Sequence, residues 1–152
     1  MLAIVRIQGK TEIRREMEDT LKMLRLNDVN NCIILPESPD YKGMVEKVRN
    51  FITYGEIDKE ILSKMIQKRL RTRGNERVDE KTLKEITNFE TFEKFANALL
   101  EGKVKLKDFE KINPVLKLTP PSKGFKSIKE YYPKGDLGYR GKEINELIER
   151  MI

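Results

Sequence analysis

Apolar residues crowd into short, β-branched runs at the start of the chain and then spread to helical spacing. Residues 2–7 (LAIVRI), punctuated by Gln8-Gly9-Lys10, predict a first strand. Thr11 is placed to cap a helix in which Ile13, Met17, Leu21 and Leu24 recur every three or four residues, with Arg14, Arg15, Lys22 and Arg25 elsewhere on the wheel. Asn30-Asn31 breaks that pattern, residues 32–35 (CIIL) read as a buried strand, and Pro36-Glu37-Ser38-Pro39 reads as a turn. Asp40 is placed to cap a second helix with Met44, Val45 and Val48 inward, and residues 51–54 (FITY) have the composition of a third strand ending at Gly55.

Beyond this β-α-β-α-β stretch the pattern turns helical. Asp58 opens a helix with Ile61, Leu62, Met65, Ile66 and Leu70 on one side, ending in the basic run 68–73 before Gly74. Residues 79–86 and 91–100 read as two shorter helices, with Phe89, Phe92 and Phe95 as core residues and Gly102 just past the end. Residues 115–118 alternate like a short strand, and Ile144, Leu147, Ile148 and Met151 mark a closing helix within 142–151. The expected fold is therefore α+β, with a β-α-β-α-β core over residues 1–57 and a helical extension over 58–152.

Composition changes this picture in one place. The chain of 152 residues is 37% charged and 38% hydrophobic, with a net charge of +6 and a pI near 9.3, a balance that favours an acidic partner. Five of those six positive charges come from residues 117–142, where seven Lys/Arg face only Glu130 and Asp136. Four glycines, three prolines and four aromatics in the same stretch suit neither a packed helix nor a central strand. It reads as a basic Gly/Pro-rich loop, extended, tethered at both ends and ordered on meeting a polyanion. Cys32, followed by Ile33-Ile34-Leu35, is the only cysteine and reads as a buried thiol in a reducing compartment. No apolar run suits a signal peptide or a membrane span, so a cytosolic protein without a membrane partner is expected.

Histidine is absent, which removes the usual general base, nucleophile partner and zinc ligand together. A single cysteine builds no zinc site and no phosphate-loop motif occurs, so no catalytic residue, metal, cofactor or small-molecule substrate is expected. The spacing Gly135-x-x-Gly138-x-x-Gly141 before the last helix admits a plain turn, a mononucleotide loop or contact with a nucleic-acid backbone; Lys134, Arg140 and Lys142 around it favour the last. Lys68, Arg69, Arg71 and Arg73 suit either the negative end of a helix dipole or RNA. Arg14, Arg15 and Lys129 complete the candidate contacts drawn from charge.

Several segments carry a resemblance that spans almost the whole chain. Leu2-Ala3-Ile4-Val5-Arg6-Ile7, Thr20 to Leu26 (TLKMLRL), Asn31 to Pro36 (NCIILP) and Tyr41 to Val48 (YKGMVEKV), followed by Leu118 to Phe125 (LTPPSKGF) and Gly135 to Gly141 (GDLGYRG), resemble the large-subunit ribosomal protein 30 family in its long archaeal and eukaryotic-type form. The resemblance implies a ferredoxin-like core with a small antiparallel sheet and helices on one face. It also implies a structural protein of the large ribosomal subunit, cytoplasmic, bound to the large ribosomal RNA near the 5S rRNA and beside other ribosomal proteins. On the matching motifs it implies RNA contact by Lys123, Gly124, Phe125, Lys126, Gly138, Tyr139 and Arg140. Thr119 departs from the histidine expected before Pro120-Pro121. The competing reading is a non-ribosomal protein-interaction scaffold that docks a partner on the phenylalanine-rich stretch 89–99, its basic segment only solubilising.

Overall fold

The structure is a computed structural model and describes all 152 residues. Its elements run β1 (Leu2–Arg6), α1 (Arg15–Met23), β2 (Asn31–Leu35), α2 (Pro39–Lys47), β3 (Ile52–Glu56), α3 (Lys59–Arg69), α4 (Glu80–Thr87), α5 (Phe92–Leu100), β4 (Leu116–Lys117), β5 (Gly138–Tyr139) and α6 (Ile144–Met151), with single 3-10 turns at Leu106–Asp108 and Gly141–Glu143. The five strands form one sheet in the order β4-β2-β1-β3-β5. The three long strands pair antiparallel about β1, with Ile4 opposite both Ile33 and Tyr54. The sheet is mixed rather than purely antiparallel, because β5 joins β3 in parallel.

Period-2 alternation sends the residues of β1 to two separate clusters. Leu2 and Ile4 join Ile33, Leu35 and Ile52 under α1 and α2, packing with Leu21, Leu24, Val45 and Val48. Ala3 and Val5 join Cys32 on the opposite face, packing with Leu62, Met65, Ile66, Phe95, Leu99, Ile144 and Ile148 of the extension. Helices on one face, as expected for the core, therefore describes α1 and α2 alone; the extension covers the second face. A sheet buried on both sides needs strands that are apolar along their length: residues 2–5 are apolar and buried, and Arg6, buried after them, has its guanidinium on backbone carbonyls. Residues 1–57 and 58–152 consequently share a sheet and a hydrophobic cluster.

Several local expectations are corrected. Thr11 caps nothing: residues 11–14 precede the helix, Glu12 has a φ of 58°, and α1 begins after Arg14. Ser38, not Asp40, caps α2, its Oγ accepting the Tyr41 N–H at 3.3 Å, because Pro39 is suited to the first helical position. β3 continues through Gly55 to Glu56 because pairing with Ala3 and Leu2 continues that far. Asp58, Asp79 and Thr91 do precede their helices, and the Thr91 hydroxyl accepts the Lys94 N–H at 3.3 Å. Phe92 and Phe95 are buried with Phe89 packed against them, so the stretch 89–99 is consumed by the chain's own core, which removes the scaffold reading's docking face.

The basic segment is folded, not extended. Its backbone turns back on itself through Gly124 N–H to Pro121 O, Gly135 N–H to Tyr131 O, Asp136 N–H to Ser127 O and Leu137 N–H to Glu130 O, each between 2.9 and 3.2 Å.

Candidate nucleic-acid interface

β1 ends at Arg6, where β2 and β3 begin, and β4 leaves the sheet there with Lys117 opposite Asn31. The chain stays at this end until Gly138 pairs with Thr53, so residues 118–137 lie across it beside the loops 7–14, 24–30 and 48–51. The fold thus gathers there the exposed Arg14, Arg15, Lys123, Gly124, Lys126, Lys129 and Lys134. α3 runs back to the same end and carries exposed Lys68 in its last turn, beside Arg77, Asp79 and Glu80.

This loop is latched at several points. Arg69, half-buried, donates to the Thr119 hydroxyl at 3.3 Å and the Ile152 carbonyl at 3.1 Å, so it works as a latch. Thr119, where histidine was expected, donates its hydroxyl to the Met151 carbonyl at 2.8 Å. Arg150 of α6 donates to the carbonyls of Ser122 and Gly124 at 3.2 and 3.4 Å, holding the left-handed turn in which Lys123 and Gly124 have φ of 67° and 72°. On the other side Gln8 Nε2 donates to Ile128 O, Tyr131 bonds Asn50, and the Arg49 guanidinium lies 5.4 Å from the Tyr131 ring centre. Phe125 is half-buried against the larger core cluster and anchors the loop.

Not every candidate is free. Arg140 is 7% exposed and paired with buried Asp136 at 2.7 Å, so its charge is neutralised inside the fold. Gly138 is buried at φ 78°, with the Tyr131 ring where a side chain would project. Tyr139 is 54% exposed at the sheet edge; its hydroxyl donates to Glu56 at 2.6 Å, and that bond pushes its ionisation up from the usual value. Lys142 lies past β5, its carbonyl accepting from Asn145, which also holds the Glu56 carbonyl. Lys142 is therefore at the opposite end of the sheet from Lys123 and Lys126. That far end holds the N-terminal amine 3.6 Å from Glu37, and Glu56.

Arg71 and Arg73 lie on a hairpin that leaves α3. Arg71 bridges Arg77, and the hairpin hydrogen-bonds the segment 111–113 through Arg73 N–H to Lys111 O and Asn113 N–H to Arg71 O. Exposed Arg73 is thereby brought beside Lys111, not recognisable as its neighbour from their separation in sequence, in a shallow pocket also lined by Glu76, Glu85 and Glu110. Lys10, which sequence reasoning did not single out, is also exposed at this end on the loop after β1, and Tyr131, one of the four aromatics of the basic segment, is 44% exposed on the loop. A single charge beside Gly9 carries no signal by itself.

No cluster of His, Cys, Asp and Glu could hold a metal ion, and no helix is long and apolar enough to cross a membrane. Fold and site together define an α+β protein that gathers exposed cations at one end of its sheet. The family model for ribosomal protein L30p/L7e matches residues 2–52, the span of β1 to the start of β3. The chain is 44% identical over 151 residues to the large ribosomal subunit protein uL30 of Archaeoglobus fulgidus, covering 99% of each. It is 42% identical to that of Methanocorpusculum labreanum, again over 99% of each, and 42% identical to that of Thermoplasma volcanium, over all of this chain and 93% of the relative. The chain belongs to the ribosomal protein L30p/L7e family, a family of structural, non-enzymatic ribosomal proteins.

Proposed function

We propose that this chain is a structural constituent of the large ribosomal subunit, binding ribosomal RNA through the cationic end of its sheet and lying near the 5S rRNA beside other ribosomal proteins. The observation that carries the reading is convergence: Lys123, Lys126, Lys129 and Lys134 are brought by a latched loop to the end that also presents Arg14, Arg15 and Lys68. Cations fixed on a folded body displace condensed counterions from phosphates without reading bases, so affinity is electrostatic and position comes from the body. Residues 1–57 supply the frame, and 58–152 supply the loop and its latches. The hairpin carrying Arg71, Arg73 and Arg77, with Lys111 on the segment beside it, is a second, smaller phosphate contact. The cytoplasmic, ribosome-bound location follows from the same assignment.

The test is binding of the full chain to large-subunit rRNA fragments and, separately, to 5S rRNA, across salt. If about six phosphates are met, affinity falls by roughly a thousandfold between 50 and 200 mM salt. Replacing Lys123, Lys126, Lys129 and Lys134 together by Ala flattens that dependence. An unchanged slope overturns the placement of the interface, and equal, weak binding to every RNA overturns the ribosomal assignment.

A further inference from the structure

We propose that Asp136, an acidic residue in the most basic stretch of the chain, is the positioning residue of the RNA-binding loop, and that through Asp136 and Arg140 the loop is folded before RNA arrives. The proposal rests on the reading that this end of the sheet binds RNA.

Asp136 is 1% exposed, and its carboxylate is divided between two partners. Oδ1 meets Arg140 Nη2 at 2.7 Å, and Oδ2 accepts the Lys126 backbone N–H at 2.5 Å. Its own N–H donates to Ser127 O at 2.9 Å, so one residue ties position 126 and position 127 across the loop. Arg140 in turn lies 5.0 Å from the Tyr132 ring centre and donates its backbone N–H to Tyr54 O at 3.0 Å, which fastens the assembly to β3. A buried carboxylate with a backbone N–H and a guanidinium as its partners is a strong local constraint, because removing either partner strands the other charge out of water. Lys126, Lys129 and Lys134 all emerge from the span closed by this clamp, between the tie at 126 and Arg140. The clamp thus meets beforehand the ordering entropy that a free loop would lose on binding.

The consequence runs against simple electrostatics. Deleting a negative charge from a basic surface should strengthen phosphate binding. If Asp136 instead positions the lysines, deleting it weakens binding although the net charge rises.

The experiment compares wild type with Asp136→Asn and Asp136→Ala on a large-subunit rRNA fragment across salt, with circular dichroism as the check on folding. Expected is a fall in affinity of about tenfold or more at every salt concentration, with the slope against salt kept, since the same lysines still meet phosphates once ordered. Loss of Lys126 and Lys129, by contrast, lowers the slope itself. Hydrogen exchange on RNA-free wild type is the second arm and needs no variant: the Lys126, Asp136 and Leu137 amides should be protected. Affinity equal to or above wild type in a folded Asp136 variant overturns the proposal. So do unprotected amides in the free wild type, even if both variants fail to fold. Wild type that binds RNA with no salt dependence would instead defeat the underlying RNA reading, while the exchange result still judges the clamp.

Discussion

The Arg6 guanidinium, at the end of the central strand, donates to the Leu26 carbonyl at 2.7 Å. It also reaches the carbonyls of Asn27 at 3.0 Å, Gln8 at 2.8 Å and Gly9 at 3.1 Å. One 1%-exposed side chain therefore closes two of the loops at the cationic end. Burial lowers its ionisation from the usual value, opposed by the charges of Asp28 and Glu18. Arg6→Leu leaves several carbonyls without a donor and should destabilise the protein by about 3 kcal/mol. A thermal melt should show a midpoint lower by roughly 6–12 °C for a chain of this size.

Gly55 on β3 faces the turn Gly141–Glu143, and a Cβ there would collide with the Gly141 carbonyl oxygen and crowd the Ile144 Cβ at 3.1 Å. The neighbour is backbone, so it cannot swing aside. Gly55→Ala is expected to destabilise by about 1–3 kcal/mol or more. Gly43→Ala, in open space on α2, should be neutral or stabilising by up to about 1 kcal/mol. Denaturant midpoints of the two variants measured side by side check the contrast.

Lys142 and Lys126 belong to one basic stretch in sequence and to opposite ends of the sheet in space. Lys126→Ala should lower the slope of log affinity against log salt by about 0.7–0.9, the change expected for one lost phosphate contact. Lys142→Ala should leave the slope where it was. Filter binding or anisotropy over a salt series distinguishes them.

The Cys32 thiol is wholly buried, and desolvation pushes it up from 9.0 to about 12. The folded state therefore holds its proton where the unfolded chain releases it. Stability from this group is fully present below pH 9 and declines as pH rises from 9 towards 12, by at most about 1.4 kcal/mol per pH unit. Unfolding free energies at pH 8, 9 and 10 should fall less steeply for Cys32→Ala than for wild type. A thiol reagent at pH 8 should label wild type only as fast as the core opens.

The elements most legible in sequence were those whose pattern repeats often enough to be counted. Ile61, Leu62, Met65 and Ile66 announce α3, and Ile144 to Met151 announces α6, because each buries one stripe. β4 is read at 115–118 from its alternation, of which Leu116 and Lys117 pair, whereas β5 has two residues and two residues have no period. The second buried face of the sheet was written in the unbroken apolar run of residues 2–5, but such a run is equally the mark of any buried strand. Of the candidate site, the lysines of the loop stood out by charge density. Arg140 stood out for the same reason although the fold spends it on Asp136, since charge counts carry no information about burial. Arg150 and Arg69 were hidden by the opposite ambiguity: a cation in the last turn of a helix is ordinary, and only the tertiary fold shows it holding a loop.

Both borders of the sheet are supplied late. β4 shields the outer side of β2, and β5 shields the outer side of β3, with Leu116 and Gly138 coming from the last quarter of the chain. During synthesis the three long strands therefore emerge with unpaired N–H and C=O groups on both flanks, and with Ala3, Val5 and Cys32 uncovered. A nascent chain halted at residue 57 presents an adhesive surface. The basic loop between β4 and β5 is thus also the thread that seals the sheet against its own copies, and truncation before residue 116 should yield aggregates.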